Sequence, residues 1–165
     1  MAYVGRFATT RAKLASYLAR KLRERGWAAP RAPATEALVE KLAGLGYVDD
    51  AAYALAKARS LGSRGYGRRR VSQALRQAGV GEDDGRAAED NARAEAVTAA
   101  LLFARRKRIG PFALEKTDPR DRERSLAAML RAGHDFALAR RVLDLAPGSI
   151  DDPRDPGNFL SNEYR

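Results

Sequence analysis

Apolar side chains recur along this chain at intervals of three and four residues, the spacing that places them on one face of an α-helix. A first helix is predicted to begin at Thr9 or Thr10 and to end at Gly26, and a second runs from about Thr35 to Gly46. Their apolar faces carry leucines: Leu14, Leu18 and Leu22 in the first, and Leu38, Leu42 and Leu45 in the second. Alternating runs rich in Val, Ile and Thr, which would indicate strands, are missing. The pattern therefore predicts an all-α fold.

The segment GYVDD follows the second predicted helix and has the chemistry of a helix boundary. Gly46 can adopt the left-handed conformation that ends a helix, and Asp49 can accept hydrogen bonds from the amides that open the next one. Val48 and Tyr53 stand at the two positions of a hydrophobic staple. The alternative is a paired-carboxylate metal or acid/base site at Asp49 and Asp50, but no histidine or second carboxylate cluster lies near the motif. Capping is the preferred interpretation.

An internal repeat organises the chain. The segments LARKLRERGW, VSQALRQAGV and SLAAMLRAGH superimpose on glycines Gly26, Gly79 and Gly133, which lie 53 and 54 residues apart. This period predicts three tandem three-helix repeats that form an elongated, curved array. The predicted boundaries are 1–46 for the first repeat, whose first helix is short, 47–95 for the second, 96–146 for the third, and 147–165 for a flexible tail rich in proline and glycine.

Composition narrows the classes of function. The chain has 31 Lys and Arg against 21 Asp and Glu, a formal net charge of +10, which favours polyanionic partners. It has no cysteine, which excludes disulfides, thiolate metal sites and cysteine nucleophiles. No apolar run is long enough to span a bilayer, and the N-terminus lacks the apolar core of a signal peptide. We therefore expect a cytoplasmic protein that does not bind membranes.

The positive charge is concentrated in the first two repeats. Residues 51–81 contain seven basic side chains and no acidic one, and residues 1–32 contain eight basic side chains against Glu24 alone. A solvated helix face usually mixes the two signs, so this segment predicts contact with a polyanion. The candidate binding residues, chosen by this clustering, are Lys57, Arg59, Arg64, Tyr66, Arg68, Arg69, Arg70 and Arg76.

The stretch LGSRGYGRRR, residues 61–70, lies at the centre of the basic segment. A nucleotide-binding loop would need a preceding strand and a GxxxxGK[ST] or GxGxxG pattern, and both are missing here. Gly65 and Gly67 are better explained by a turn between two helices. The arginines that follow crowd the positive end of a helix dipole, a cost that a bound anion would offset. Tyr66 could stack on a base, although packing is the preferred interpretation.

The sequence lacks the sets of residues that an enzymatic function would need. The one histidine, His134, stands in a helix-ending RAGH segment and is assigned a capping or surface role. The one tryptophan, Trp27, follows a helix-ending glycine, where we expect it to be buried. No Ser, His and Asp set and no spacing typical of metal ligands is present. The sequence therefore predicts a protein without catalytic residues, metal or cofactor.

Several of these segments together resemble the RecX family of bacterial recombination regulators, whose central repeat has a GY-hydrophobic-DD start and an aromatic–Ala pair. The resembling segments are GYVDD, Tyr53 with Ala54, Arg59, GYG and LRQAGV. The match runs from about residue 3 to 145 and is strongest over 46–80. The family's three tandem three-helix repeats agree with the glycine period. The signature residues of the pattern are Gly46, Tyr47, Asp49, Asp50, Tyr53, Gly65, Gly67 and Gly79.

The resemblance implies a non-enzymatic regulator of the RecA recombinase, and we expect it to be a monomer, although the sequence leaves the oligomeric state open. Such proteins bind RecA and its filament on single-stranded DNA, limit filament extension, and restrain ATP hydrolysis, strand exchange and the coprotease activity that triggers the SOS response. Weak, non-specific binding to bare single-stranded DNA is expected. The resemblance leaves open whether the basic residues contact DNA phosphates or acidic RecA side chains, and whether the protein also stimulates RecA.

Two other classes of function remain open. One is a free-standing helix-turn-helix regulator with GYGRRRVSQAL as its recognition helix; against it, the charge extends over two repeats, and only Gln73 and Gln77 could read bases there. The other is an interaction solenoid that does not contact nucleic acid.

Overall fold

The fold is built from α-helices throughout the part of the chain that the structure describes, which is residues 8–115, 117–155 and 159 of a computed structural model. These residues form eight α-helices, one short 3-10 turn and no strand. The helices are α1 (Arg11–Arg25), α2 (Thr35–Gly44), α3 (Asp50–Ser63), α4 (Arg68–Gln77), α5 (Glu82–Ala94), α6 (Ala96–Lys107), α7 (Pro119–Arg131) and α8 (Phe136–Asp144), and the 3-10 turn is Gly110–Phe112. The all-α prediction is confirmed.

The three repeat glycines occupy the same structural position. Gly26, Gly79 and Gly133 follow α1, α4 and α7 and have φ angles of 74°, 68° and 93°, in the left-handed region that favours glycine. The helices α1, α4 and α7 are therefore equivalent, with α3 and α6 before the second and third of them. The predicted short first helix of the first repeat falls on residues 1–7, outside the described residues. The exact repeat boundaries and the curvature of the array stay predictions.

Each repeat has its own small core. Leu14 and Val39 of the first repeat form a buried cluster with Val48, which lies just past its boundary. Along α2 the inward position belongs to Val39, whereas Leu38 and Leu45 are 44% and 61% exposed. The apolar face that these leucines are predicted to share is therefore not buried. The ten-residue helix α2 packs mainly against α1, which covers only the stripe of α2 that contains Val39.

The two aspartates of GYVDD cap two different helices. The Asp49 carboxylate accepts a hydrogen bond from the Ala52 amide at 2.8 Å, which confirms its capping of α3. The buried Asp50 carboxylate instead accepts a hydrogen bond from the Arg11 amide, 2.9 Å away in the first turn of α1. Asp50 thus ties the second repeat to the first, a contact between residues 39 positions apart that local sequence rules do not predict.

A second bond fixes the start of α1 to the end of α4. The hydroxyl of Thr10, the N-cap of α1, accepts from the Lys13 amide at 3.2 Å and donates to the Ala78 carbonyl at 2.6 Å. Next to it, a Cβ built on Gly79 would lie 2.3 Å from the Cβ of Ala12. The C-terminus of α4 therefore abuts the N-terminus of α1 at close range.

Replacing Asp50 by alanine should lower the free energy of unfolding by about 2 kcal/mol, because the part-buried amide of Arg11 loses its acceptor. Asp49→Ala, which removes an exposed cap, should cost about 1 kcal/mol. Urea denaturation of both variants measures the difference. An effect of Asp50→Ala no larger than that of Asp49→Ala would show that the link between repeats contributes little.

The second and third repeats meet in the same head-to-tail manner. At the start of α4, the Gly67 amide donates to the Ala132 carbonyl at 3.0 Å and the Arg69 amide donates to the Gly133 carbonyl at 3.1 Å. A Cβ on Gly67 would lie 2.4 Å from the Gly133 carbonyl oxygen. Gly67 is therefore needed for the close approach of two backbones, and α1, α4 and α7 form a stack in which each N-terminus meets the next C-terminus.

Part of the predicted tail packs into the third repeat. Ile150 and Phe159 are buried in the core that includes Leu101, Met129 and Val142. The proline and glycine content suggested flexibility from residue 147 onward, but burial of these two apolar side chains stabilises the packed position. Residues 156–158 and 160–165 lie outside the described part of the chain, so flexibility there stays a prediction.

Candidate nucleic-acid interface

A depression of about 440 Å³ lies between α3, α4 and the start of α1. Its cations come from three helices and the turn between α3 and α4, and two tyrosines line it with them. The polar lining residues are Lys13, Tyr53, Lys57, Arg64, Tyr66, Arg70 and Gln77. Lys57 on α3 and Arg64, the residue that follows the C-terminus of α3, are seven residues apart, so they project from the same side about 10 Å apart along the axis.

A second depression, of about 470 Å³, continues from the first between α1 and the end of α4. The two share Lys13, Gln77 and Ala78. The second adds further cations and a tyrosine, namely Tyr17, Arg20, Arg23 and Arg76. The two depressions together are called the basic groove below. The groove joins the first and second repeats because α1 is tied to α4 at Thr10.

Charge of one sign lines the basic groove. Its lining holds seven cations, Lys13, Arg20, Arg23, Lys57, Arg64, Arg70 and Arg76, and no acidic residue. One exposed ion pair, between Arg20 and Glu24 at 3.6 Å, lies at the edge of the groove and contributes little to stability. Seven cations along one concave surface raise the local potential and attract a polyanion.

Cations lie close to the rings of two tyrosines of the groove. The guanidinium carbons of Arg64 and Arg106 lie 5.6 and 5.5 Å from the ring centroid of Tyr66, and the Lys13 ammonium lies 4.5 Å from that of Tyr53. Tyr66 also packs against the cores of the second and third repeats. Tyr66 is therefore partly buried in packing, the preferred interpretation, and it also lines the groove.

The structure separates the predicted binding residues into two groups. Lys57, Arg64, Tyr66, Arg70 and Arg76 all line the basic groove. The other three, Arg59, Arg68 and Arg69, lie outside the groove. Since α3 turns by about 100° per residue, residues 57 and 59 point to different sides of it.

Arg59 lines another pocket, of about 640 Å³, between α3, α5 and α6, together with Glu95 and Arg154, and Tyr66 borders both this pocket and the basic groove. Arg68 and Arg69 lie at the start of α4 beside α7 and α8, where Arg69 is 3.5 Å from the Asp135 carboxylate. The predicted cost of arginines at this helix start is offset within the protein, because carbonyls at the end of α7 already accept from the first amides of α4.

Charge clustering did not single out the contribution of α1. Lys13, Arg20 and Arg23 belong to the basic segment 1–32, which the sequence does show, but nothing local places them beside α4. A helical spacing of three and four residues does put them on one face of α1. The sequence therefore indicates that these residues share a face of α1, but it does not indicate that this face lies beside α4 of the next repeat.

His134 is buried at the junction of the second and third repeats rather than at the surface. Its Nε2 lies 3.1 Å from the Gly65 carbonyl oxygen, so the neutral ring donates a hydrogen bond there. The ring also packs edge-on against Phe103, with the two ring centroids 5.5 Å apart. The Nδ1 atom is buried without a partner among the described residues. Burial lowers the pKa of His134 to about 4. The histidine is therefore part of the packing between repeats.

The depressed pKa of His134 gives a testable dependence of stability on pH. Because the folded-state pKa lies below the unfolded value, the stabilisation is complete above about pH 6.5 and is lost as the pH falls toward 4, by about 3 kcal/mol in all. Denaturation midpoints measured across this range should fall more steeply for the wild type than for His134→Gln, which cannot titrate. Parallel curves for the two proteins would contradict the assignment.

Within the described ranges, no group of three or more His, Cys, Asp or Glu side chains could hold a metal ion. None of the helices that the structure describes is long and apolar enough to cross a membrane.

The fold and the site together define the class of protein: an all-helical repeat protein with a basic groove. A family model described as the second three-helix domain of RecX matches residues 49–88, which span α3, α4 and half of α5. The Regulatory protein RecX of Myxococcus xanthus is 37% identical over 156 residues, covering 88% of this chain and 82% of that protein. The Regulatory protein RecX of Agrobacterium fabrum is 28% identical over 109 residues, covering 66% of this chain and 58% of that protein. The chain belongs to the RecX family of regulatory proteins.

Proposed function

We propose that this protein binds the RecA recombinase and RecA filaments on single-stranded DNA, and limits filament extension, ATP hydrolysis, strand exchange and the coprotease activity of the SOS response. Membership of the RecX family supports the choice of partner. The observation that carries the proposal is the basic groove, which runs over two repeats with no acidic residue in its lining.

The geometry of the groove suits a phosphate backbone better than a small ligand. Its cations are spread over two contiguous depressions of about 440 and 470 Å³ that are open to solvent, rather than gathered around one centre. A chain of phosphates can contact such a row one after another, and each contact releases counterions. Tyr17, Tyr53 and Tyr66 along the lining offer ring edges or faces to bases without selecting a sequence. The partner inferred from this chemistry is single-stranded DNA, held weakly and without sequence preference.

We propose further that the protein acts by binding alone, as a cytoplasmic monomer. Its relatives are named regulatory proteins, and the one histidine serves the packing between repeats. Contacts in the groove would compete with extension of the filament at the same DNA. No catalytic residue, metal or cofactor enters this mechanism.

The proposal is tested by adding the protein to RecA and single-stranded DNA and measuring filament length by electron microscopy. We expect shorter filaments at protein concentrations well below that of RecA when extension is in progress. Unchanged filament lengths at equimolar protein would overturn the proposal. Tight, sequence-specific binding to duplex DNA with no effect on filaments would favour a helix-turn-helix regulator instead.

A further inference from the structure

The exposed apolar side chains of this protein are concentrated at one end. Among the described residues, four of the six large hydrophobic side chains that are exposed belong to the first repeat or its boundary: Trp27, Leu38, Leu45 and Tyr47. The first repeat also has the smallest buried core as far as the chain is described from residue 8 onward, with three residues. Exposed apolar side chains concentrated in one repeat favour an interaction site there over the ordinary scatter of a protein surface.

Two of these side chains line a groove between α1, α2 and the loop that joins them. The groove has a volume of about 770 Å³. Its floor is formed by apolar side chains, Leu18, Leu22, Trp27, Pro33 and Leu38. We call it the apolar groove. A turn of helix carrying one or two large apolar side chains would fill such a space.

Trp27 is held in a fixed position in the lining of the apolar groove. It was expected to be buried, but its side chain is 55% exposed. Its indole nitrogen donates to the Arg31 carbonyl at 2.7 Å, which satisfies its one polar atom and holds the ring in place. The exposed face of the ring is therefore apolar and preorganised, the condition that favours a binding anchor.

The rim of the apolar groove is basic. Lys21, Arg25 and Arg31 line it, and no acidic residue does. Lys21 already pairs with Glu24 at 2.6 Å, which leaves Arg25 and Arg31 as the cations best placed to meet a ligand. An occupant that covers the floor must accept these charges at its edge, so charge complementarity calls for an acidic, amphipathic segment.

The apolar groove and the basic groove lie on nearly opposite sides of α1. Residues 18, 21, 22 and 25 face the apolar groove, and residues 13, 16, 17, 20 and 23 face the basic groove. At 100° per residue the centres of these two sets are about 150° apart. One helix can therefore contact nucleic acid on one side and protein on the other at the same time.

We infer that the apolar groove binds an acidic, amphipathic segment of the filament protein while the basic groove holds the DNA. This inference rests on the proposed function, because it takes the recombinase as the partner. Trp27 and Leu38 supply the apolar anchors, and Arg25 and Arg31 meet the carboxylates. A second copy of this chain fits less well, since a symmetric contact would place the two basic rims against each other.

The lone tryptophan makes the site observable. With 5-fluorotryptophan in this chain only, Trp27 gives a single ¹⁹F resonance. We expect that resonance to shift or broaden on addition of RecA filaments on single-stranded DNA and to stay unchanged with the bare DNA. Dilution of the free protein should not move it, whereas a concentration-dependent shift together with dimers in sedimentation would overturn the inference in favour of self-association.

A matched pair of variants tests the affinity. Leu38→Glu places a charge in the apolar groove, and Leu45→Glu makes the same change near the end of the same helix, outside the groove lining. We expect Leu38→Glu to weaken filament binding about tenfold or more and Leu45→Glu to leave it nearly unchanged. Both should bind bare single-stranded DNA like the wild type, and circular dichroism confirms that both fold.

The outcomes separate the two claims. Equal filament binding by both variants, with an unmoved ¹⁹F resonance, would overturn the apolar groove as a docking site and leave the proposed function standing. No filament binding by the wild type would overturn the proposed function and this inference together.

Discussion

Replacing Gly67 by alanine is expected to lower the free energy of unfolding by about 3 kcal/mol or more. The φ angle of Gly67 is −79°, which alanine adopts without strain, so the effect is steric. The new Cβ would lie 2.4 Å from the Gly133 carbonyl oxygen and 2.5 Å from the His134 amide nitrogen, both backbone atoms. The second and third repeats would have to separate, which breaks the bonds from Gly67 and Arg69 to the end of α7.

Gly81 offers a matched control for this substitution. It caps α5 as Gly67 caps α4, with a φ angle of −69°, and a Cβ built on it meets nothing within 4 Å. Gly81→Ala should change the stability by no more than a few tenths of a kcal/mol. Thermal or urea unfolding followed by circular dichroism compares the two variants. Similar small effects would mean that the two repeats do not contact each other as closely as the structure shows.

The triple variant Arg64→Ala, Arg70→Ala, Arg76→Ala is expected to weaken binding to bare single-stranded DNA about a hundredfold at low salt, because three phosphate contacts are lost. The dependence of log K on log salt concentration should become shallower by about two units, since each phosphate on a single strand contributes about 0.7. All three side chains line the basic groove and are exposed. Fluorescence anisotropy with a labelled oligonucleotide at several salt concentrations measures both quantities.

The matched control removes the same net charge from outside the groove. Arg59, Arg68 and Arg69 also come from α3 and the start of α4, but they line other pockets. Their triple alanine variant should bind single-stranded DNA within about threefold of the wild type, apart from the screened effect of net charge. Equal losses for the two triple variants would show that total charge, and not the groove, governs binding.

Local features of the fold were predictable from the sequence. The φ angles of Gly26, Gly79 and Gly133 follow from the need of each helix end for a left-handed residue, and the 53- and 54-residue spacing shows the repeat. Asp49 and Thr10 act as caps because their oxygens reach amides three residues away. Such contacts depend on neighbours in sequence, which is why capping rules find them.

The basic groove was only half predictable. Arg64, Arg70 and Arg76 stood out by charge, but the sequence could not separate them from Arg59, nor bring Lys13 beside them. That arrangement depends on the bonds that tie α1 to the second repeat, from Thr10 to Ala78 and from Asp50 to Arg11. These partners are 68 and 39 residues apart, beyond the reach of helical periodicity.

Trp27 and His134 show why single-residue rules failed elsewhere. Both follow a repeat glycine and were assigned from that position, yet Trp27 is exposed and His134 is buried. His134 has the turn between α3 and α4 packed over it, through Gly65. Trp27 stands in the first repeat beside the basic-rimmed apolar groove, and no described helix covers it. Burial at equivalent positions is therefore set by the neighbouring repeat.

The most direct test of the central claim is the rate of ATP hydrolysis by RecA on single-stranded DNA in the presence of each arginine triple variant. If the basic groove is the surface that restrains the filament, the wild type and the Arg59, Arg68, Arg69 variant should lower the rate to a similar extent. The Arg64, Arg70, Arg76 variant should lower it at least tenfold less effectively. Full inhibition by the groove variant, with its fold intact by circular dichroism, would contradict the role of the groove.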